Sequence, residues 1–136
     1  VLQRVAVKDG NDMFRESYGS YDPNENTGNW TLALQAIDYT KHTSVTFNWR
    51  FGNPWARIGL NAASELFDTG TAMEGTLTIS KNAEGKYVAT LSHTGGNSCT
   101  KVLDDDVANG KKGLVIFYGS DAAYRTFNID AIPTFA

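Results

Sequence analysis

The chain has 136 residues, 41% hydrophobic and 12% aromatic, which is enough apolar weight for a packed core and too much for a disordered segment. Twelve Lys and Arg against fifteen Asp and Glu leave a formal net charge of −3. That disfavours duplex nucleic acid as a partner, because such binders neutralise phosphates with a basic patch. No run of about 18 apolar residues exists, so no membrane span is expected, and a single cysteine, Cys99, excludes an intrachain disulfide or a Cys-rich zinc site.

No internal repeat, linker or low-complexity run divides the sequence, so residues 1–136 read as one domain. The first residue is Val1, as expected of an excised domain or mature fragment. A short strand is expected near residues 3–8. Over 30–36, Trp30, Leu32, Leu34 and Ala36 alternate with Thr31, Ala33 and Gln35. Over 44–51 the alternation is cleaner: Val45, Phe47, Trp49 and Phe51 on one parity, Ser44, Thr46, Asn48 and Arg50 on the other. Gly52-Asn53-Pro54 breaks that strand, and Ala56, Ile58 and Leu60 resume alternation. The best helical candidate, residues 62–67, is one or two turns long. A hairpin follows, with strands over 75–80 and 86–92 joined at Asn82-Ala83-Glu84-Gly85. Residues 113–118 are apolar on both faces and read as a central strand. A last strand is expected over 124–132, ending at Pro133.

Eight or nine short antiparallel strands predict an all-β fold, a two-sheet antiparallel β-sandwich of jelly-roll type. Periodicity leaves a closed β-barrel open as the alternative. In the sandwich, the parity of Val45, Phe47 and Trp49 faces inward. The opposite parity carries Thr46, Asn48, Arg50, Thr76, Thr78 and Thr90, and elsewhere Gln35, Arg57, Tyr124, Thr126 and Asn128. Amides, hydroxyls and guanidinium groups outnumber Lys and Glu there. Such groups match sugar hydroxyls, each of which donates and accepts together.

Trp55 follows the Gly-Asn-Pro break, where an aromatic ring either binds something or folds back as a lid over the core. Catalytic signatures are weak. The acids sit mostly in turns, His42 and His93 stand without a legible triad, and no paired-carboxylate arrangement can be read. Asp22-Pro23-Asn24-Glu25-Asn26-Thr27-Gly28 spaces oxygen ligands as a calcium loop does, yet the glycine falls late for an EF-hand and Asx-turn chemistry explains the run. No cofactor is expected, and a structural calcium at this segment is the one alternative to that reading. Asp104-Asp105-Asp106 reads as a solvated turn, and Cys99 as a semi-buried strand residue.

Gly113-Leu114-Val115-Ile116-Phe117 followed by Tyr124-Arg125-Thr126-Phe127-Asn128-Ile129-Asp130-Ala131-Ile132 resembles the closing strands of jelly-roll carbohydrate-binding modules, and Ser44-Val45-Thr46-Phe47-Asn48-Trp49 resembles one of their sandwich strands. The resemblance covers about a quarter of the chain. It implies a secreted, non-catalytic module appended to a larger polysaccharide-degrading enzyme. The expected partner is a polysaccharide or oligosaccharide, with no nucleic acid and no membrane. Arg50, Asn48, Gln35 and Asn128 would hydrogen-bond hydroxyls, and Trp55 and Tyr124 would stack on rings. Two rival expectations are a structural or adhesive module of a cell-surface protein, and a small polysaccharide lyase or hydrolase in which Arg50, Tyr124 and His42 converge.

Overall fold

The computed structural model describes residues 2–6, 16–32, 43–50, 56–60, 67–68, 74–94, 98–108, 114–120, 126–129 and 134–136. These form β1 (Leu2–Ala6), β2 (Glu16–Asp22), β3 (Thr27–Leu32), β4 (Ser44–Arg50), β5 (Arg57–Leu60), β6 (Phe67–Asp68), β7 (Glu74–Lys81), β8 (Tyr87–His93), β9 (Ser98–Val102), α1 (Asp105–Ala108), β10 (Val115–Tyr118), β11 (Asn128–Ile129) and β12 (Thr134–Phe135).

The strands make two six-stranded sheets. Sheet A has the order β1-β2-β3-β10-β5-β6, and sheet B the order β11-β4-β7-β8-β9 with β12 also on β4. The described pairings are antiparallel. The sheets are separate and pack as a sandwich, and among the described residues no barrel closes. The all-β, two-sheet expectation is therefore met and the barrel alternative is not. Two hairpin-connected runs, β1-β2-β3 and β7-β8-β9, build most of each sheet, and β10 inserts between β3 and β5.

Alternation decides what each sheet buries. On β4, Val45, Phe47 and Trp49 are buried while Asn48 and Arg50 are exposed. On β7 and β8, Leu77, Ile79, Ala89 and Leu91 continue the buried parity. Sheet A contributes Ile58, Leu60, Val115 and Phe117 to the same cluster. Phe117 meets Phe127 with ring centroids 6.3 Å apart, within the favourable range for tilted aromatic pairs. Across the layers, β5 packs on β8 and β9.

Two hairpin turns are built by side-chain capture. In the β7–β8 turn, Asn82 Oδ1 accepts from the backbone N–H groups of Glu84 and Lys86 at 3.0 and 2.9 Å, and Gly85 takes a left-handed φ of 80°. In the β2–β3 turn, Asp22 Oδ1 accepts from Asn24 N at 2.9 Å, and Asn26 adopts φ 52°. The Tyr21 hydroxyl, buried beneath that turn, donates to Gly119 O at 2.9 Å and lies 3.1 Å from Asn26 Oδ1. Gly119 N in turn donates to Asn26 O, so the turn is fastened to the end of β10.

Three local expectations are corrected. Asp105 and Asp106 open the short helix α1 instead of a turn, as acidic residues favour a helix N-terminus. Phe67, placed in the helical candidate, lies in β6, and residues 62–66 fall outside the described residues. The last strand is not continuous over 124–132. Thr126 and Phe127 precede β11, and pairing resumes at β12, after Pro133. Asn128 and Ile129 pair Arg50 and Trp49, whereas Thr134 and Phe135 pair Thr46 and Val45. Five steps along the chain thus match three along β4, a shift of register between the two pairings.

Candidate functional site

The outer face of sheet B carries two of the side chains that the sequence assigns to ligand contact, Asn48 and Arg50. Asn48 and Arg50 project from the same side of β4, opposite the buried Trp49. Residues two apart on a strand lie about 7 Å apart on one face. Arg50 pairs by register with Glu74 on β7 and with Asn128 on β11. Among the described residues its guanidinium forms no ion pair, Glu74 included. Gln35, Trp55, Tyr124 and His42 lie outside the described residues, as does the side chain of Asn128. Neither the two stacking aromatics nor the three-residue cluster of the lyase expectation is therefore placed.

Trp49 sets the floor beneath this face. Its indole is 1% exposed and lies against β7, where Nε1 donates to Thr76 O at 3.0 Å. Gly75 makes the approach possible. A Cβ there would stand 2.6 Å from Trp49 Cζ2 and 1.9 Å from Ser92 O, so no larger residue fits without moving backbone.

Register turns scattered threonines into rows. Thr134, Thr46, Thr78, Thr90 and Thr100 are successive partners across β12, β4, β7, β8 and β9. Two residues along, Asn48, Thr76, Ser92 and Ser98 make a second row. Neighbouring hydroxyls pair: Thr46 with Thr78 at 3.2 Å, Thr90 with Thr100 at 3.1 Å, and Thr76 with Ser92 at 2.8 Å. Neither row contains a charged residue, and Arg50 and Glu74 stand two residues beyond the second row. In each paired couple one hydroxyl proton is used, and one proton and several lone pairs remain for a ligand.

A second outward patch lies on sheet A. The Arg57 guanidinium sits over the Tyr118 ring, 5.1 Å from its centroid, and both residues are exposed. Arg57 was legible as outward-facing. Tyr118 was not, because residues 113–118 look apolar throughout; the signal available was its place at the strand end, just before Gly119. Phe117 and Ile58 point inward from the same strands, so this patch faces away from sheet B. One ligand surface cannot include both.

Two further titratable groups, His93 and Cys99, make local contacts. His93 Nδ1 lies 2.7 Å from Thr94 O, and since a carbonyl only accepts, Nδ1 carries the proton. Cys99 is half-buried; burial pushes its thiol pKa up, and a backbone hydrogen bond at Leu60 opposes the shift in part. The 22–28 segment is the Asx turn described above, and among the described residues no three His, Cys, Asp or Glu gather as a metal site. Comparison with protein families, curated proteins and solved structures finds no match for this chain.

Proposed function

We propose that this chain is a carbohydrate-binding β-sandwich, a module that holds a polysaccharide or oligosaccharide chain on the outer face of sheet B. The observation that carries the reading is the composition of that face. Among the described residues, an exposed guanidinium without an ion pair stands beside Asn48, at the end of a field of hydroxyls in register. Solvated sheet faces ordinarily carry Lys and Glu, whose long side chains lose rotamer entropy when a ligand fixes them. Thr and Ser lose less, and Arg adds a planar fork of donors that spans vicinal hydroxyls. The resemblance of β4 and of the closing strands to jelly-roll carbohydrate-binding modules supports the same reading. It extends the proposal to a secreted module attached to a larger polysaccharide-degrading enzyme.

Affinity for such a shallow site is expected to be modest, because every desolvated hydroxyl must be re-paired before any net gain appears. Affinity gel electrophoresis against a panel of soluble polysaccharides tests the proposal. Retardation by at least one, reversed by the matching oligosaccharide, is the expected result. Unretarded migration across the whole panel would refute it.

A further inference from the structure

We infer that the threonine row crossing sheet B is itself the principal ligand contact, and that it takes a single uncharged polysaccharide chain lying across the strands; this rests on the carbohydrate-binding reading above. Three observations define the ligand. The first is charge. The row through Thr46, Thr78, Thr90 and Thr100 holds no ionisable side chain, and neither does the neighbouring row through Thr76 and Ser92. A polyuronate or sulfated glycan placed there would lose hydration of its anionic groups and meet no cation along the rows. A neutral, hydroxyl-rich chain meets no such penalty.

The second is shape. Strands recur about every 4.8 Å, so a row crossing five strands extends about 19 Å, long enough for several sugar units end to end. Adjacent strands in a sheet turn by roughly 20° relative to one another. The hydroxyls therefore rotate about the row from one threonine to the next. A flat crystalline face touches only a strand or two of such a surface, whereas a single chain in solution can twist in step with it.

The third is preorganisation. Thr46 with Thr78, Thr90 with Thr100, and Thr76 with Ser92 already hold one another at 2.8–3.2 Å. Their rotamers are set before the ligand arrives, which lowers the ordering cost of binding. The threonine methyls supply the apolar contact that a sugar's C–H face needs, so the row functions without an aromatic platform.

Thr→Val replacement tests this cleanly. It removes the hydroxyl, keeps the shape of the side chain and suits a strand. The Thr78→Val/Thr90→Val double variant, the Thr78→Ser/Thr90→Ser variant and the unmodified chain are compared by affinity electrophoresis in a soluble neutral β-glucan and in polygalacturonate, and by pull-down on crystalline cellulose. A thermal melt is run on each sample. The expected result is retardation of the unmodified chain by the neutral glucan alone, a loss of tenfold or more in the folded valine variant, and retention of most binding in the serine variant. Undiminished glucan binding by the valine variant overturns the row as the contact and leaves the carbohydrate reading standing with its site elsewhere. Preference for polygalacturonate or for cellulose overturns the ligand class. Binding to none of the three by the unmodified chain overturns the inference, and silence across the wider panel overturns the carbohydrate reading as well.

Discussion

Trp49→Ala is expected to cost about 3–5 kcal/mol of folding stability, the usual price of emptying a large aromatic site in a core. The indole is 1% exposed and sits among Val45, Phe47, Leu77 and Ile79 of the buried cluster. It is also the donor to Thr76 O, so its removal combines a cavity with a lost hydrogen bond. An unfolding entropy of about 2.1 cal/mol/K per residue over 136 residues makes roughly 0.29 kcal/mol/K, which translates the loss into a fall in Tm of about 10–17 °C. Trp49→Phe separates the two contributions. It keeps most of the ring and removes the donor, so most of the cavity cost disappears and about 1 kcal/mol of the hydrogen bond remains lost. Urea denaturation of the three proteins, with m-values compared, is the assay. If Trp49→Ala lost less than about 1 kcal/mol, Trp49 would be exposed. The faces of β4 would then be exchanged, because a one-residue slip inverts every side chain on a strand. Asn48 and Arg50 would then be buried, and the ligand face would vanish with them.

Arg50→Ala and Asn48→Ala should each weaken glycan retention severalfold while leaving the melt nearly unchanged, since both side chains are exposed; electrophoresis and a melt on the same samples read both effects. Tyr118→Ala should leave glycan binding intact, because Tyr118 faces outward from sheet A; lost binding there would move the site to the opposite surface. Gly75→Ala should destabilise by about 1–3 kcal/mol, and by much of that amount in a Trp49→Ala background as well, because Ser92 O still stands 1.9 Å from the added Cβ; a neutral result in urea would contradict the packing of β7 on β8. On the alkaline side, burial raises the folded-state pKa of Cys99 and of Tyr87. The unfolded thiol ionises first, so stability is fully present below about pH 8.5 and declines as pH rises through the raised folded value. Denaturation midpoints measured across that range should fall, and less steeply in Cys99→Ala.

The faces of sheet B were legible because alternation is strict where one side is buried. Val45, Phe47 and Trp49 are apolar at every second position, and Asn82 with Gly85 marks the hairpin that follows. β2 escaped notice because Glu16–Asp22 carries no apolar alternation, and its partners β1 and β3 decide its place. The split between β11 and β12 escaped for a related reason, since strand content after Pro133 depends on the edge that β4 offers. The threonine rows were the least legible feature. Each strand shows its own alternating hydroxyls, but nothing local states that Thr46, Thr78, Thr90 and Thr100 fall in line. That alignment is a property of strand order and register, which long-range pairing determines. Tyr21 illustrates the same limit. Nothing near it in the sequence shows that its hydroxyl is fixed by Gly119, 98 residues away.

Amide chemical-shift mapping reads out whether a sugar chain lies on the outer face of sheet B. Soluble neutral β-glucan is titrated into isotopically labelled protein, and backbone signals are followed residue by residue. Shifts are expected to concentrate in β4, β7, β8 and β9, strongest near Thr46, Asn48, Thr78 and Thr90, with the β10 and β5 amides around Tyr118 and Arg57 unmoved. Shifts centred on Tyr118 and Arg57 with sheet B silent would contradict that placement.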